Sequence, residues 1–150
     1  MTETMKMTTS TPWHLWAVGV LSLLWNGYGV YDFVMTTTQG AAYMRSMGFD
    51  QAMIDYYEAM PVWMWGPWIL GVFGAALGSI LLLIRNRLAV WAFAASLVGA
   101  VISLVYGQFI DPPPLTPEMA MMRWVPWVIT AIAVLLAWYA WTMAKKGVLR

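Results

Sequence analysis

Long apolar runs separated by short polar connections dominate this chain. The runs cover residues 13–35, 62–84, 88–110 and 124–144, and each is close to the about 20 residues that a helix needs to cross a bilayer. Together they use most of the 150 residues, which leaves no room for a separate soluble domain. The pattern therefore predicts an all-α protein, a single transmembrane domain folded as an integral membrane four-helix bundle.

The first run differs from the others because polar residues interrupt it near its middle and its far end. Ser22 and Asn26 are four residues apart and share one face of a helix, and Asp32 flanks that face. Strongly polar groups inside a span are costly and often functional. We predict that one group of residues lines a solute path or packs helices together: Asn26, Asp32, Tyr28, Ser22 and Gln108.

Two interpretations remain open for the two most polar of these residues. Asn26 either forms a hydrogen bond between helices that fixes their packing, or it lines a polar cavity. Asp32 lies closer to the end of the run, so it either reaches the interface or forms an ion pair with Arg123 or Arg45. The pair of Asp32 with Arg123 is the one we predict.

Small residues recur at intervals of four on the second and third runs. Gly74 and Gly78 form a GxxxG spacing, and the third run carries a longer ladder made of Ala95, Gly99, Ser103 and Gly107. Small side chains let helix backbones approach closely in a membrane. A very short connection, residues 85–87, joins the two runs, so the sequence predicts a tightly packed antiparallel hairpin.

The connection between the first two runs, residues 36–61, is too long for a structureless turn in so small a protein. It predicts two short helices, the first ended by Gly48 and the second capped by Asp50 and stopped before Pro61. The second helix is amphipathic. We expect this segment to lie on the outer membrane surface or to fold over the mouth of the bundle.

Charge distribution predicts the orientation of the chain. With both termini in the cytoplasm, the inner side carries most of the cations: Lys6, Arg85, Arg87, Lys145, Lys146 and Arg150. Only Arg45 and Arg123 then lie outside, which is the asymmetry that the positive-inside rule requires. Most tryptophans fall near the ends of the four runs, as expected of interfacial aromatic belts.

The chemistry available to the chain is narrow. It contains no cysteine and a single histidine, His14, which removes thiolate sites and any three-histidine metal site. The many methionines could bind Cu(I), but methionine also fills apolar gaps without metal, and His14 lies on the opposite side. We find no GxSxG, HExxH, Walker A or GxGxxG motif and no basic patch for nucleic acid. We therefore predict no enzyme activity, no cofactor and no metal site.

Four stretches of the sequence carry a resemblance: LWNGYGVYDFVMT, AYM, PVWMWGPW and LGSILLL. Here the chain resembles a group of uncharacterised, short, four-helix bacterial inner-membrane proteins, some of which are loosely labelled sugar transporter. The resemblance implies a multi-pass location in the bacterial inner membrane, and it supports the predicted architecture.

Two functions from different classes follow from these patterns. The first is a small membrane protein without catalytic chemistry that acts by helix association, as an accessory subunit of a larger membrane protein or as a homo-oligomer. The second is a transporter or channel for a small polar solute such as a sugar. It would have to be an oligomer, because one four-helix chain encloses little volume.

Overall fold

The computed structural model describes residues 9–150, and these are folded almost entirely into helices, with no strand among them. The six α-helices are α1 (Trp13–Gln39), α2 (Ala41–Ser46), α3 (Gln51–Glu58), α4 (Trp65–Leu83), α5 (Leu88–Val105) and α6 (Val125–Lys145). A short 3₁₀ turn, Val62–Met64, precedes α4. A π-helical segment, Tyr106–Ile110, extends α5, and a 3₁₀ helix, Pro117–Trp124, leads into α6. Lys6, used in the charge argument, lies outside the described residues.

Three stretches of helix are long and apolar enough to cross a membrane: Val62–Leu83, Leu88–Ile110 and Pro117–Lys145. The sequence predicted four such stretches, and α1 is the one that is not among these three. That helix has 27 residues and is long enough, but Asn26 and Asp32 lower its mean hydropathy.

The long helices run back and forth, and α4 packs against both α1 and α5, while α5 also packs against α6. Both termini of the described chain lie at one end of the molecule, where Gly147 comes close to Thr9. We call this the terminal end, and the end that carries α2 and α3 the loop end. The main apolar core lies at the terminal end and is built around Leu15, Leu82 and Phe93.

The contact between α4 and α5 is close because glycines face backbone there. A methyl group on Gly99 would collide with the carbonyl oxygen of Pro67 and lie 2.6 Å from the nitrogen of Gly71. A methyl group added to Gly74 would lie 3.2 Å from the carbonyl oxygen of Ala92. This close approach lets Ser96 donate a 2.7 Å hydrogen bond to the Gly71 carbonyl.

The other residues of the two predicted ladders lie differently. Gly78 faces the ring of Phe93, which would lie 2.8 Å from an added methyl. Gly107 falls in the π-helical segment and has no neighbour within 4 Å of that position. Ala95 and Ser103 are partly buried. The serine that forms a hydrogen bond to α4 is Ser96, which directly follows Ala95, the first residue of the predicted ladder.

The connection between α1 and α4 folds as its turn signals predict. Gly48 adopts a φ of +88° after α2, and the Asp50 carboxylate caps α3 by accepting a 2.9 Å hydrogen bond from the Met53 amide. Both short helices predicted for this connection are present. α3 buries Met53 and Ile54 completely, so its apolar face packs on the rest of the chain.

Candidate functional site

A buried polar contact joins α1 to α4. Asn26 is only 8 % exposed and donates hydrogen bonds to the Ser79 hydroxyl at 3.0 Å and to the Ala75 carbonyl at 3.3 Å. Ser79 in turn donates to the same Ala75 carbonyl at 2.9 Å. The Asn26 amide nitrogen and the Ser79 hydroxyl are thus hydrogen-bonded between two helices, which is the kind of contact that the packing interpretation of Asn26 expects.

The remaining residues predicted to line a solute path do not converge on Asn26. Ser22 is buried, but its hydroxyl bonds back to the Gly19 carbonyl of its own helix at 3.0 Å. Tyr28 is 56 % exposed on the outer side of α1. Gln108 lies in the π-helical segment that follows α5, where its amide is 3.5 Å from the Arg123 carbonyl. Within the described chain these groups form no continuous polar path.

Asp32 is held by the loop-end segment and not by the predicted cation. Its carboxylate accepts a 2.8 Å hydrogen bond from the hydroxyl of Tyr43 in α2, and it forms no ion pair with Arg123 anywhere in residues 9–150. The turn at Gly40 explains this partner, because a φ of +54° there brings α2 back beside the end of α1. Burial, together with the Asp32 carboxylate, raises the pKa of Tyr43, so the phenol is the hydrogen-bond donor at neutral pH.

We call residues 40–61 the strap, because they cross the loop end between α1 and the far side of the molecule. On that side the hydroxyl of Tyr56 in α3 donates a 2.6 Å hydrogen bond to the Asp111 carbonyl. The Asp111 carboxylate accepts a further hydrogen bond, 3.0 Å, from Tyr106 in the π-helical segment. Through these contacts the amphipathic segment packs on the helices at the loop end.

We expect the stability that the Tyr56 contact contributes to be lost as the pH rises from about 10 to about 12. Burial, followed by the nearby Asp111 charge, raises the pKa of Tyr56 to about 12, above the value of about 10 for an unfolded tyrosine. Because the folded pKa is the higher one, the stabilisation is fully present below pH 10 and is lost as the pH approaches 12.

Tyrosinate absorbance measured against pH tests this expectation. Tyr56→Phe should remove one tyrosine from the step near pH 12, and the denatured protein should titrate near pH 10. An unchanged step near pH 12 in the Tyr56→Phe protein would assign that titration to another tyrosine and contradict the contact.

An apolar groove lies where α1 and α6 diverge. The two helices meet at the terminal end, where His14 Nδ1 and the Tyr139 hydroxyl are hydrogen-bonded at 2.6 Å, but toward the loop end a space of about 340 Å³ opens beside Trp25. All its lining residues are apolar: Trp25, Met121, Met122, Trp124, Val125 and Val128. No sequence pattern predicted this groove, because it depends on how far two helices separate and not on any motif.

No family model, curated protein or solved structure matches the chain. The resemblance to short bacterial inner-membrane proteins therefore stays a prediction. In residues 9–150 no three His, Asp or Glu side chains lie close enough together to hold a metal ion.

Proposed function

We propose that this chain is an integral membrane protein in which all four long helices cross the bilayer, and that it acts by associating with other transmembrane helices. The location that we propose is the bacterial inner membrane, with both termini in the cytoplasm. In this proposal the protein is a homo-oligomer or the accessory subunit of a larger membrane protein, and it performs no catalysis of its own.

Support for a membrane crossing by α1 comes from the side chains that this helix exposes. Leu21 and Leu24 are 66 % and 68 % exposed, and Trp13 at the start of the helix is 78 % exposed. Water is a poor solvent for so many large apolar groups on one helix, whereas lipid is a good one. Its strongly polar Asn26 is covered by α4, so the side of α1 that would meet lipid carries no unpaired amide.

The observation that carries the association proposal is a stripe on α1 that faces away from α4. We call it the outer stripe, and it consists of Leu24, Gly27, Tyr28 and Tyr31, which follow the spacing of one helix face. Gly27 has no neighbour within 4 Å of an added methyl. The exposed rings of Tyr28 and Tyr31 lie 6.2 Å apart. An open glycine beside two hydroxyl-bearing rings offers another helix both close approach and hydrogen bonds.

The geometry supports association better than transport. Transport through one chain would need polar side chains along a common path, and the predicted ones are either paired within helix contacts or spread over different faces. Ser79 and Ser96 are also fully used within the chain, by bonds to the carbonyls of Ala75 and Gly71. An assembly of several chains is the arrangement in which a polar path would have to form.

Native mass spectrometry of the protein released gently from its own membrane tests the proposal. We expect a defined homo-oligomer or a stoichiometric complex with another membrane protein, and we expect Gly27→Trp to convert it to monomer. Val98→Trp is the matched control, because Val98 is 53 % exposed on α5 and outside the outer stripe. It should leave the assembly intact.

Two outcomes would contradict the proposal. A wild-type protein that is always monomeric would remove association as its mode of action. A protein that alkaline carbonate washes off the membrane would remove the transmembrane assignment itself.

A further inference from the structure

The connection between α4 and α5 holds an arginine in a backbone conformation that favours glycine. Arg85 has a φ of +60°, and within residues 9–150 no other residue except glycine has a positive φ. Its amide donates to the Leu82 carbonyl at 3.0 Å, and the Asn86 amide donates to the Leu81 carbonyl at 2.8 Å. This is the hydrogen-bond pattern of a Schellman motif, in which glycine is the usual residue at this position. The strain at Arg85 indicates that its side chain has a role that glycine could not perform.

Part of that role is to hold the segment that follows α6. The Nε atom of Arg85 donates a 3.1 Å hydrogen bond to the Val148 carbonyl, and the Arg85 carbonyl accepts one of 2.7 Å from the Arg150 amide. The Arg87 amide donates to the Arg150 carbonyl at 3.0 Å. Val148 and Leu149 are each only 2 % exposed, so the segment is anchored in the core. These bonds bring the backbones of Arg85, Arg87 and Arg150 together, and we call these three residues the arginine cluster.

The arginine cluster has no acidic side chain near it in the part of the chain that the structure describes. The acidic residues of that part all belong to the loop end: Asp32, Asp50, Asp55, Glu58, Asp111 and Glu118. The Nη2 atom of Arg85 is buried and, within residues 9–150, has no hydrogen-bond partner. A charged donor without an acceptor costs free energy. Because Arg85 as a whole is only partly buried, the missing acceptor can come from outside the chain, and an anion is the ligand that would complete the cluster.

The surroundings of the arginine cluster indicate which anion it meets. Tryptophans at the same end are exposed, with Trp91 on α5 at 73 % and Trp141 on α6 at 49 %. Exposed tryptophans are typical of the layer where lipid headgroups meet the hydrocarbon core. Lys145 holds its ammonium group over the Trp141 ring, 4.3 Å from the ring centroid, which adds a positive charge at this level. The anion found in such a layer is the phosphate of a lipid.

We propose that the arginine cluster binds the phosphate of an anionic phospholipid, phosphatidylglycerol in type. Guanidinium groups recognise phosphate through paired N–H···O hydrogen bonds. Phosphatidylethanolamine would bring its ammonium group next to three arginines, and the repulsion between like charges makes it the poorer ligand. The inference rests on the proposed membrane crossing, since only then does the terminal end lie in a layer of headgroups.

The test uses the full chain in nanodiscs made from equal parts of phosphatidylglycerol and phosphatidylethanolamine with identical acyl chains. Native mass spectrometry counts the lipid molecules that stay bound after release. We expect the wild type to retain phosphatidylglycerol about fivefold more often than phosphatidylethanolamine. Arg87→Gln should lower this preference about threefold, an effect of the size that an exposed ion pair gives. Because Arg87 is exposed, this variant should fold as the wild type does.

Two further variants separate a defined site from general surface charge. Lys146→Gln is the matched control, because it removes one exposed positive charge at the same end but outside the arginine cluster, and it should leave the preference nearly unchanged. Arg85→Gly removes a guanidinium of the cluster while the turn remains, because glycine adopts a positive φ without strain. The preference should fall at least as far in Arg85→Gly as in Arg87→Gln.

Three results would overturn the proposal. The first is equal retention of the two lipids by the wild type, or an unchanged preference in Arg87→Gln. The second is an equal fall in Lys146→Gln, which would show diffuse surface charge and no defined site. The third is displacement of the lipid by millimolar inorganic phosphate but not by chloride of the same ionic strength, which would assign the cluster to a free anion. A protein that gives any of these results but still resists carbonate and assembles through the outer stripe keeps the proposed function, so the two failures are distinguishable.

Discussion

Replacing Gly99 with alanine is expected to destabilise the protein by about 3 kcal/mol, the largest effect among the substitutions considered. The added methyl would collide with the Pro67 carbonyl oxygen and lie 2.6 Å from the Gly71 nitrogen. Overpacking typically costs about 1 to 3 kcal/mol. The upper part of that range applies because both obstacles are backbone atoms of α4, which cannot rotate away as a side chain can. Separating α4 from α5 would also stretch the 2.7 Å hydrogen bond from Ser96 to the Gly71 carbonyl.

The free energy of unfolding in mixed detergent micelles, titrated with a denaturing detergent, measures this effect. Gly107→Ala is the matched control on the extension of the same helix, because nothing lies within 4 Å of its added methyl. We expect the control to stay within about 0.5 kcal/mol of the wild type, as surface substitutions usually do. Equal stability of the two variants would show that α4 and α5 do not meet backbone to backbone at Gly99.

Local signals predicted the connecting segment well because the physical cause lies within a few residues. Asp50 caps α3 through the amide three residues later, and Gly48 supplies the positive φ that ends α2. Neither feature needs information from the rest of the chain. The end of α1 was harder to place. The helix continues through Thr36 to Gln39 and ends at Gly40, while the Thr37 and Thr38 hydroxyls bond back to the carbonyls of Phe33 and Val34.

Partners across helices could not be predicted in the same way. Helical periodicity places Asn26 on a particular face of α1 but does not reveal which residue of which helix meets it. Ser79 was available as a signal, since it is a hydroxyl in the middle of an apolar run beside the small residue Gly78. The bond from Asp32 to Tyr43 was missed for another reason. Opposite charges suggested Arg123, whereas a turn of only a few residues brings a phenol into reach first.

Substituting leucine for Asn26 is expected to destabilise the protein by about 1 to 2 kcal/mol. Leucine has a similar volume, so the main loss is the pair of hydrogen bonds to Ser79 and to the Ala75 carbonyl. The loss is moderate because Ser79 keeps its own bond to Ala75, and because hydrogen bonds between transmembrane helices average about 0.6 kcal/mol with a maximum of about 1.7 kcal/mol. Gly29→Ala is the matched control on α1, since no atom lies within 4 Å of its added methyl and Gly29 is not part of the outer stripe.

A double-mutant cycle with Ser79→Ala separates a direct bond from a general weakening of the α1–α4 contact. Coupling of about 0.5 kcal/mol or more is expected if the two side chains form a hydrogen bond with each other, and additive effects would contradict that bond.

The Asn26→Leu variant also distinguishes association from transport. If Asn26 acts only in packing, any solute flux measured in liposomes should persist in Asn26→Leu once the protein is folded. Selective loss of flux from a folded, fully assembled variant would instead show that the amide serves the solute, and association would then be the means by which several chains build its path.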